Sequence, residues 1–138
     1  MHHRGQMAPR RVARASVGDS LTIMEWLHHL LLLLHLVGFA ALFGGCFVQL
    51  RSSTPEVNAA MLHGALTQLV SGIALVVLLE LTPPDGDVNH VKVGIKLLVT
   101  AVISVLVVAN RRYESIPKGL WGLLIGLTFA NAALAVLW

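Results

Sequence analysis

Charge is scarce in this chain: Asp, Glu, Lys and Arg make up 12% of its 138 residues, about half the share that a water-soluble domain of this size carries. That deficit excludes an ordinary soluble surface. Cysteine is scarcer still, with Cys46 alone, so neither an intrachain disulfide nor a cysteine-rich metal site can form within one chain. Also missing are a nucleophile beside a partnered base, a glycine-rich phosphate loop and a carboxylate pair inside an apolar run, so hydrolytic and nucleotide-dependent chemistry lack their usual machinery. The chain reads as a non-enzyme. It has no internal repeat.

What the sequence holds in excess is hydrophobicity, at 56% of residues and a mean hydropathy of +0.76. The apolar residues gather into four runs, Trp26–Leu50, Val57–Leu79, Val91–Ala109 and Gly119–Trp138. A helix rises about 1.5 Å per residue, so a hydrocarbon core of about 30 Å takes about 20 residues. Each run meets that length. Stretches such as Leu30–Leu34 and Ile73–Leu79 have no polar stripe at period 3.6, which separates them from the helices of a soluble bundle. Continuous runs of this length also disfavour the alternating strands of a membrane barrel, which span about 10 residues. The expectation is an all-α fold: an integral membrane bundle of four antiparallel transmembrane helices, multi-pass in the cell membrane, with the lipid bilayer as its first partner.

The joints are short. Arg51–Glu56, Glu80–His90 and Asn110–Lys118 read as helix-to-helix turns, which makes consecutive helices antiparallel neighbours. Ser53 and Glu56 have capping-box spacing with Pro55 near a first turn, Pro83-Pro84 ends the second helix, and Pro117 marks the start of the fourth. The transmembrane domain is expected over residues 24–138.

Residues 1–23 form a basic head with Arg4, Arg10, Arg11 and Arg14 among Gly, Ser and Ala, and with no apolar periodicity it reads as disordered. Arg10-Arg11 resembles a twin-arginine signal, but the following apolar run is longer than a signal's core and no small-residue cleavage site follows. Met24, directly before Glu25-Trp26-Leu27, reads equally as a natural start, with the head then an extension from an upstream start codon. Orientation depends on this choice. Without the head, Arg51, Arg111, Arg112 and Lys118 outweigh Lys92 and Lys96, so the positive-inside rule places both termini outside. With it, the balance becomes ambiguous or reverses. The net charge of +3 needs no nucleic-acid partner, because cytoplasmic loops and anionic headgroups account for it.

Polar residues within apolar helices are expensive and mark sites or packing devices. The first run carries His28, His29 and His35; the second His63, Thr67, Gln68 and Ser71; the third Lys92, Lys96, Thr100 and Ser104; the fourth Asn131. His63, Thr67 and Ser71 recur at i, i+4, i+8, as do Lys92, Lys96 and Thr100, so both stripes are expected to face the bundle interior. His35 and His63 on neighbouring helices are candidates to clamp a haem b. Entering from opposite faces, they reach depths of roughly 13 and 9 Å and stay roughly 8 Å apart, so the pair needs a tilted haem or staggered helices. Depth gathers another set at one membrane face: His28, His29, His90, Glu80, Asp85 and Asp87, with His35 about two turns below. Imidazoles and carboxylates suit copper or a similar divalent ion. Interfacial histidines and a solvated acidic loop also account for the set.

Small residues at four-residue spacing, Ala40/Gly44, Ala41/Gly45, Gly64/Gln68/Gly72 and Gly122/Gly126/Ala130, provide surfaces for close helix contact. They build the bundle, a homo-oligomer or the contact to a larger membrane complex. Trp26, Trp121 and Trp138 stand near run ends, where indoles favour the interface. The stretch His35-Leu36-Val37-Gly38-Phe39-Ala40-Ala41-Leu42-Phe43-Gly44-Gly45 resembles the histidine-to-double-glycine helix of the copper-resistance protein D-like membrane domain. Val91-Lys92-Val93-Gly94-Ile95-Lys96, leading on to Asn110-Arg111-Arg112, is similar to that family's lysine-led helix ending in Asn-Arg-Arg. The resemblance covers about half of the chain; it implies a helical membrane protein of copper homeostasis with His35 as a copper or haem contact. Three functions stand side by side at this level: metal or haem binding, a non-catalytic accessory subunit, and a small transporter with Lys96, His63 and Gln68 along its path.

Overall fold

Each apolar run folds as one helix because its backbone has no better hydrogen-bond partner than itself and no proline interrupts it. The computed structural model describes residues 8–82 and 88–137. Among the described residues are four helices and no strand: α1 (Ala8–Phe47), α2 (Ala59–Leu81), α3 (His90–Asn110) and α4 (Lys118–Leu137). All four are long and apolar enough to cross a membrane, in α1 over Gly18–Phe47. Their outward side chains are apolar: Trp26 is 72% exposed and Val136 83%. Lipid solvates such a surface and water does not.

Helical backbone runs from Ala8, inside the head whose composition reads as disordered. The local reason is propensity: residues 10–17 are mostly Arg, Ala and Val without glycine or a further proline, and Pro9 stands in the first turn, where helices tolerate it.

Helices α1 and α2 pack most tightly, and glycine is the cause. A Cβ on Gly38 would lie 2.8 Å from the Gln68 backbone nitrogen, and one on Gly64 would lie 2.7 Å from the Gly38 carbonyl oxygen and press on the Leu42 backbone. Only hydrogen fits at those crossings. Gly45 opposes Asn58 and Met61, and Gly72 opposes the His35 ring, so contacts along α1 and α2 follow in opposite chain order. Of the other small-residue positions, Gly44, Gly122 and Gly126 have nothing within 4 Å of a built Cβ. Gly122 and Gly126 of the α4 stripe therefore make no close helix contact among the described residues.

The start of α2 differs from the capping-box expectation. The N-cap is Asn58, whose Oδ1 accepts from the Met61 N–H at 2.9 Å while its Nδ2 donates to the Gly45 carbonyl at 3.0 Å. Ser53 and Glu56 precede the helix because the Glu56 N–H is taken by Gln49 Oε1 at 2.7 Å and the Pro55 carbonyl accepts from the Ile116 N–H at 2.7 Å. That last bond ties the α1–α2 and α3–α4 connections together at one end of the bundle. Trp121 reinforces it, its indole N–H donating to the Cys46 carbonyl at 3.2 Å. The buried apolar core of Leu42, Cys46, Met61, Ala65, Val107 and Leu124 occupies this half. The other half is less filled.

Candidate functional site

Among the described residues, six polar side chains are buried between the helices: Gln68, Ser71, Thr100, Ser104, Thr128 and Asn131. The hydroxyls bond back to their own helices, and Ser104 Oγ also reaches the Ala65 carbonyl of α2 at 3.2 Å. Ser71 Oγ donates to the Thr67 carbonyl at 2.6 Å, Thr100 to Lys96 at 2.9 Å, Ser104 to Thr100 at 2.8 Å and Thr128 to Leu124 at 2.7 Å. Such back-bonding to the preceding turn leaves nothing unpaired.

The two amides behave differently. Asn131 Nδ2 donates to Thr100 Oγ1 at 2.9 Å, but Asn131 Oδ1 and Gln68 Oε1 are buried with no hydrogen-bond partner among the described residues. Those two residues are only 7% and 4% exposed. A buried carbonyl without a donor forfeits about 1–3 kcal/mol, so two of them in one small bundle call for an explanation.

Both amides line one cavity of about 320 Å³ to which every helix contributes. His35, Leu36 and Phe39 come from α1; Gln68, Gly72, Leu75 and Val76 from α2; Val93, Lys96, Leu97 and Thr100 from α3; Asn131, Ala132, Ala135 and Val136 from α4. Counted along the helices from the tied end, His35, Gln68, Thr100 and Asn131 lie at about 15–20 Å, near the middle of a hydrocarbon core about 30 Å thick. Polar groups at that depth are affordable only inside the bundle.

His35 is oriented rather than free. Its Nδ1 lies 3.0 Å from Ser71 Oγ, and the Ser71 proton is already engaged with the Thr67 carbonyl. With the Ser71 proton on that carbonyl, Nδ1 is the donor to Ser71 Oγ and Nε2 the acceptor; with the proton turned to His35, the roles reverse. Lys96 is among the residues lining the cavity and is half-buried. Among the described residues it forms no salt bridge; the ion pair found there is His90 with Glu80, at 3.4 Å on the exposed surface.

The residues singled out by sequence are distributed as follows. His35 lines the cavity. His63 is exposed on α2, and since His35 meets Ser71, eight residues further on, the two histidines stand roughly 12 Å apart along the helix axis and are not brought together. His28 and His29 are exposed, their rings edge to face at 6.0 Å, with His29 Nδ1 bonded to the Glu25 carbonyl at 2.8 Å. His90 pairs with Glu80. Asp85 and Asp87 lie outside the described residues. Among the described residues no group of three or more His, Cys, Asp or Glu side chains is gathered as a metal ion requires, and His35 shares its cavity with amides, a hydroxyl and an ammonium rather than a second imidazole, thiolate or carboxylate.

The interior stripes need the same correction. Ser71 is buried and Thr67 half-buried, but His63 at the start of the stripe is exposed. Eight residues at about 100° each overshoot two turns by about 80°, so an i, i+8 stripe drifts off its face. Sequence reasoning marked Gln68, Thr100, Lys96 and Asn131 individually without joining them into one site. The signal that could have joined them was their common distance from the helix ends. Comparison with family models, curated proteins and solved structures returned no match.

Proposed function

We propose that this chain is a multi-pass membrane protein that binds a small amphipathic molecule in the cavity between its four helices, at mid-membrane depth. The observation that carries this reading is one cavity of about 320 Å³ to which all four helices contribute, with the buried polar residues Gln68, Thr100 and Asn131 among those lining it. A bundle built only for packing would fill the positions of Gln68 and Asn131 with apolar side chains or with hydroxyls bonded to backbone carbonyls, as it does with Ser104 and Thr128. Largely apolar walls carrying a few convergent polar groups, at about this volume, are the usual make-up of a small-molecule site. The midplane is also where membrane carriers place their substrates, so binding here is compatible with transport as well as with storage or sensing.

A small neutral phenyl-diazirine photoprobe tests the reading with the protein in nanodiscs. Saturable labelling of Leu97 and Ala132, competed by unlabelled probe and lost in Ala132→Phe, is the expected result. Labelling that never saturates and is confined to lipid-facing side chains such as Val70 and Val105 would refute it.

A further inference from the structure

The cavity is a slot laid along the helix axes. On α2 its lining runs from Gln68 to Val76 and on α3 from Thr100 back to Val93, spans of about 12 and 10 Å at about 1.5 Å per residue. One end lies at mid-membrane, by Gln68, Thr100 and Asn131, and the other points toward the α2–α3 connection. One leaflet of a hydrocarbon core about 30 Å thick is about 15 Å deep, and the slot covers most of that depth. The amide oxygens of Gln68 and Asn131 are themselves buried, which leaves apolar side chains such as Phe39, Leu75, Leu97 and Ala132 to meet an occupant. The slot is also open to the bilayer. Leu36 of α1 and Val136 of α4 both line it and remain 54% and 83% exposed, so lipid chains meet its rim directly.

Charge marks the outer end. Lys92 and Lys96 stand one turn apart on α3, both half-buried. Neither forms a salt bridge among the described residues, where the carboxylate of Glu80 pairs with His90. Lys92 is two residues past the start of α3 and so at the headgroup boundary, and the four-carbon stem of Lys96 lets its ammonium rise toward the same level. Cations at that depth favour an anionic headgroup. We infer that the slot takes one acyl chain of an anionic phospholipid, admitted sideways from the leaflet at the α2–α3 end. The phosphate then lies at the level of Lys92 and Lys96, and the chain tip near Thr100. The inference rests on the cavity reading above and names its amphipathic molecule.

The test uses the intact chain in phosphatidylcholine nanodiscs with a trace of phosphatidylglycerol carrying a diazirine near the methyl end of one acyl chain. A parallel sample carries the same modified chain on phosphatidylcholine. Irradiation and peptide mapping are expected to find the glycerol lipid on Leu97 and Ala132, saturably and about fivefold more than its choline counterpart, the weight of one lysine near an anionic headgroup. Ala135→Phe, which fills the slot, is expected to abolish that labelling, and Lys92→Gln with Lys96→Gln to equalise the two probes. The headgroup comparison on the unaltered chain decides the matter even where a variant fails to fold. Equal labelling by the two headgroups, or labelling confined to outward-facing Val70 and Val105, overturns the inference. If the phenyl-diazirine probe still labels Leu97 and Ala132 saturably in that case, the lipid assignment is wrong and the cavity reading survives. If that labelling is absent too, both fall.

Discussion

Asn131 Nδ2 donates to Thr100 Oγ1 across 2.9 Å, and that single bond fixes the amide so that its oxygen is left without a donor in the bundle interior. Thr100 has no proton to offer back, since its own goes to the Lys96 carbonyl. Thr100 of α3 therefore orients an amide of α4 in the bundle interior. The arrangement sacrifices stability for a polar interior where hydrocarbon would pack better.

Removing an unpaired acceptor should thus stabilise the empty protein. Gln68 Oε1 has no partner among the described residues, so Gln68→Leu loses no protein hydrogen bond at that oxygen while deleting a penalty of about 1–3 kcal/mol. The expected result is a melting temperature in detergent raised by about 4 °C, together with loss of saturable photolabelling. Asn131→Leu, which also gives up the bond to Thr100, is expected to stay within about 1 kcal/mol of the parent. A lowered melting temperature for Gln68→Leu would show that the oxygen is already satisfied.

The membrane helices were legible because length and apolarity suffice to specify them. Val57–Leu79 became Ala59–Leu81, Val91–Ala109 became His90–Asn110, and Gly119–Trp138 became Lys118–Leu137, shifts of a residue or two at frayed ends. The first run differed more, its helix beginning at Ala8 rather than Trp26, because Asp19, Ser20, Thr22 and Glu25 hide helical continuity from an apolarity reading. The site was harder. Depth can be counted along a sequence, which correctly argued against joining His35 to His63, but direction around the helix depends on where a neighbour packs. That was set by Gly38 meeting Gly64 and Gln68, a tertiary contact which turned Gln68 inward and left His63 outside.

The same contact gives a sharp mutational contrast. A Cβ on Gly64 would press on the Leu42 backbone and lie 2.7 Å from the Gly38 carbonyl oxygen, and backbone cannot swing aside as a side-chain tip can. Gly64→Ala should cost about 2–3 kcal/mol, the upper range for overpacking, in a reversible detergent-unfolding titration. Gly126→Ala, with nothing within 4 Å, is expected to change stability by less than about 0.5 kcal/mol. Equal effects at the two positions would refute this account of α1–α2 packing.

Asn58 combines a helix cap with a tether between helices, through Met61 N–H at 2.9 Å and the Gly45 carbonyl at 3.0 Å. Asn58→Ala removes both and should destabilise the chain by about 2 kcal/mol, while Asn58→Ser keeps the cap and loses only the tether, at about half the cost. Amide hydrogen exchange at Met61 separates the two effects: the Met61 N–H should lose protection in the alanine variant and keep it in the serine variant.

The tautomer of His35 offers a direct spectroscopic check on how the cavity is wired. Ser71 Oγ has one proton, and its 2.6 Å approach to the Thr67 carbonyl favours giving it there, so the 3.0 Å contact with His35 Nδ1 favours the proton on Nδ1 and leaves Nε2 as an acceptor. Nitrogen-15 spectra of ring-labelled protein should show His35 as the Nδ1–H form when its ring is neutral. In Ser71→Ala the hydroxyl acceptor is gone and nothing favours that form, so the population should move toward the Nε2–H form that free imidazole side chains prefer. The stability change should stay near about 1 kcal/mol, the net worth of one such bond. An Nε2–H signal in the unaltered protein would mean that Ser71 donates to His35 instead, and would remove the imidazole from the set of acceptors offered to the cavity.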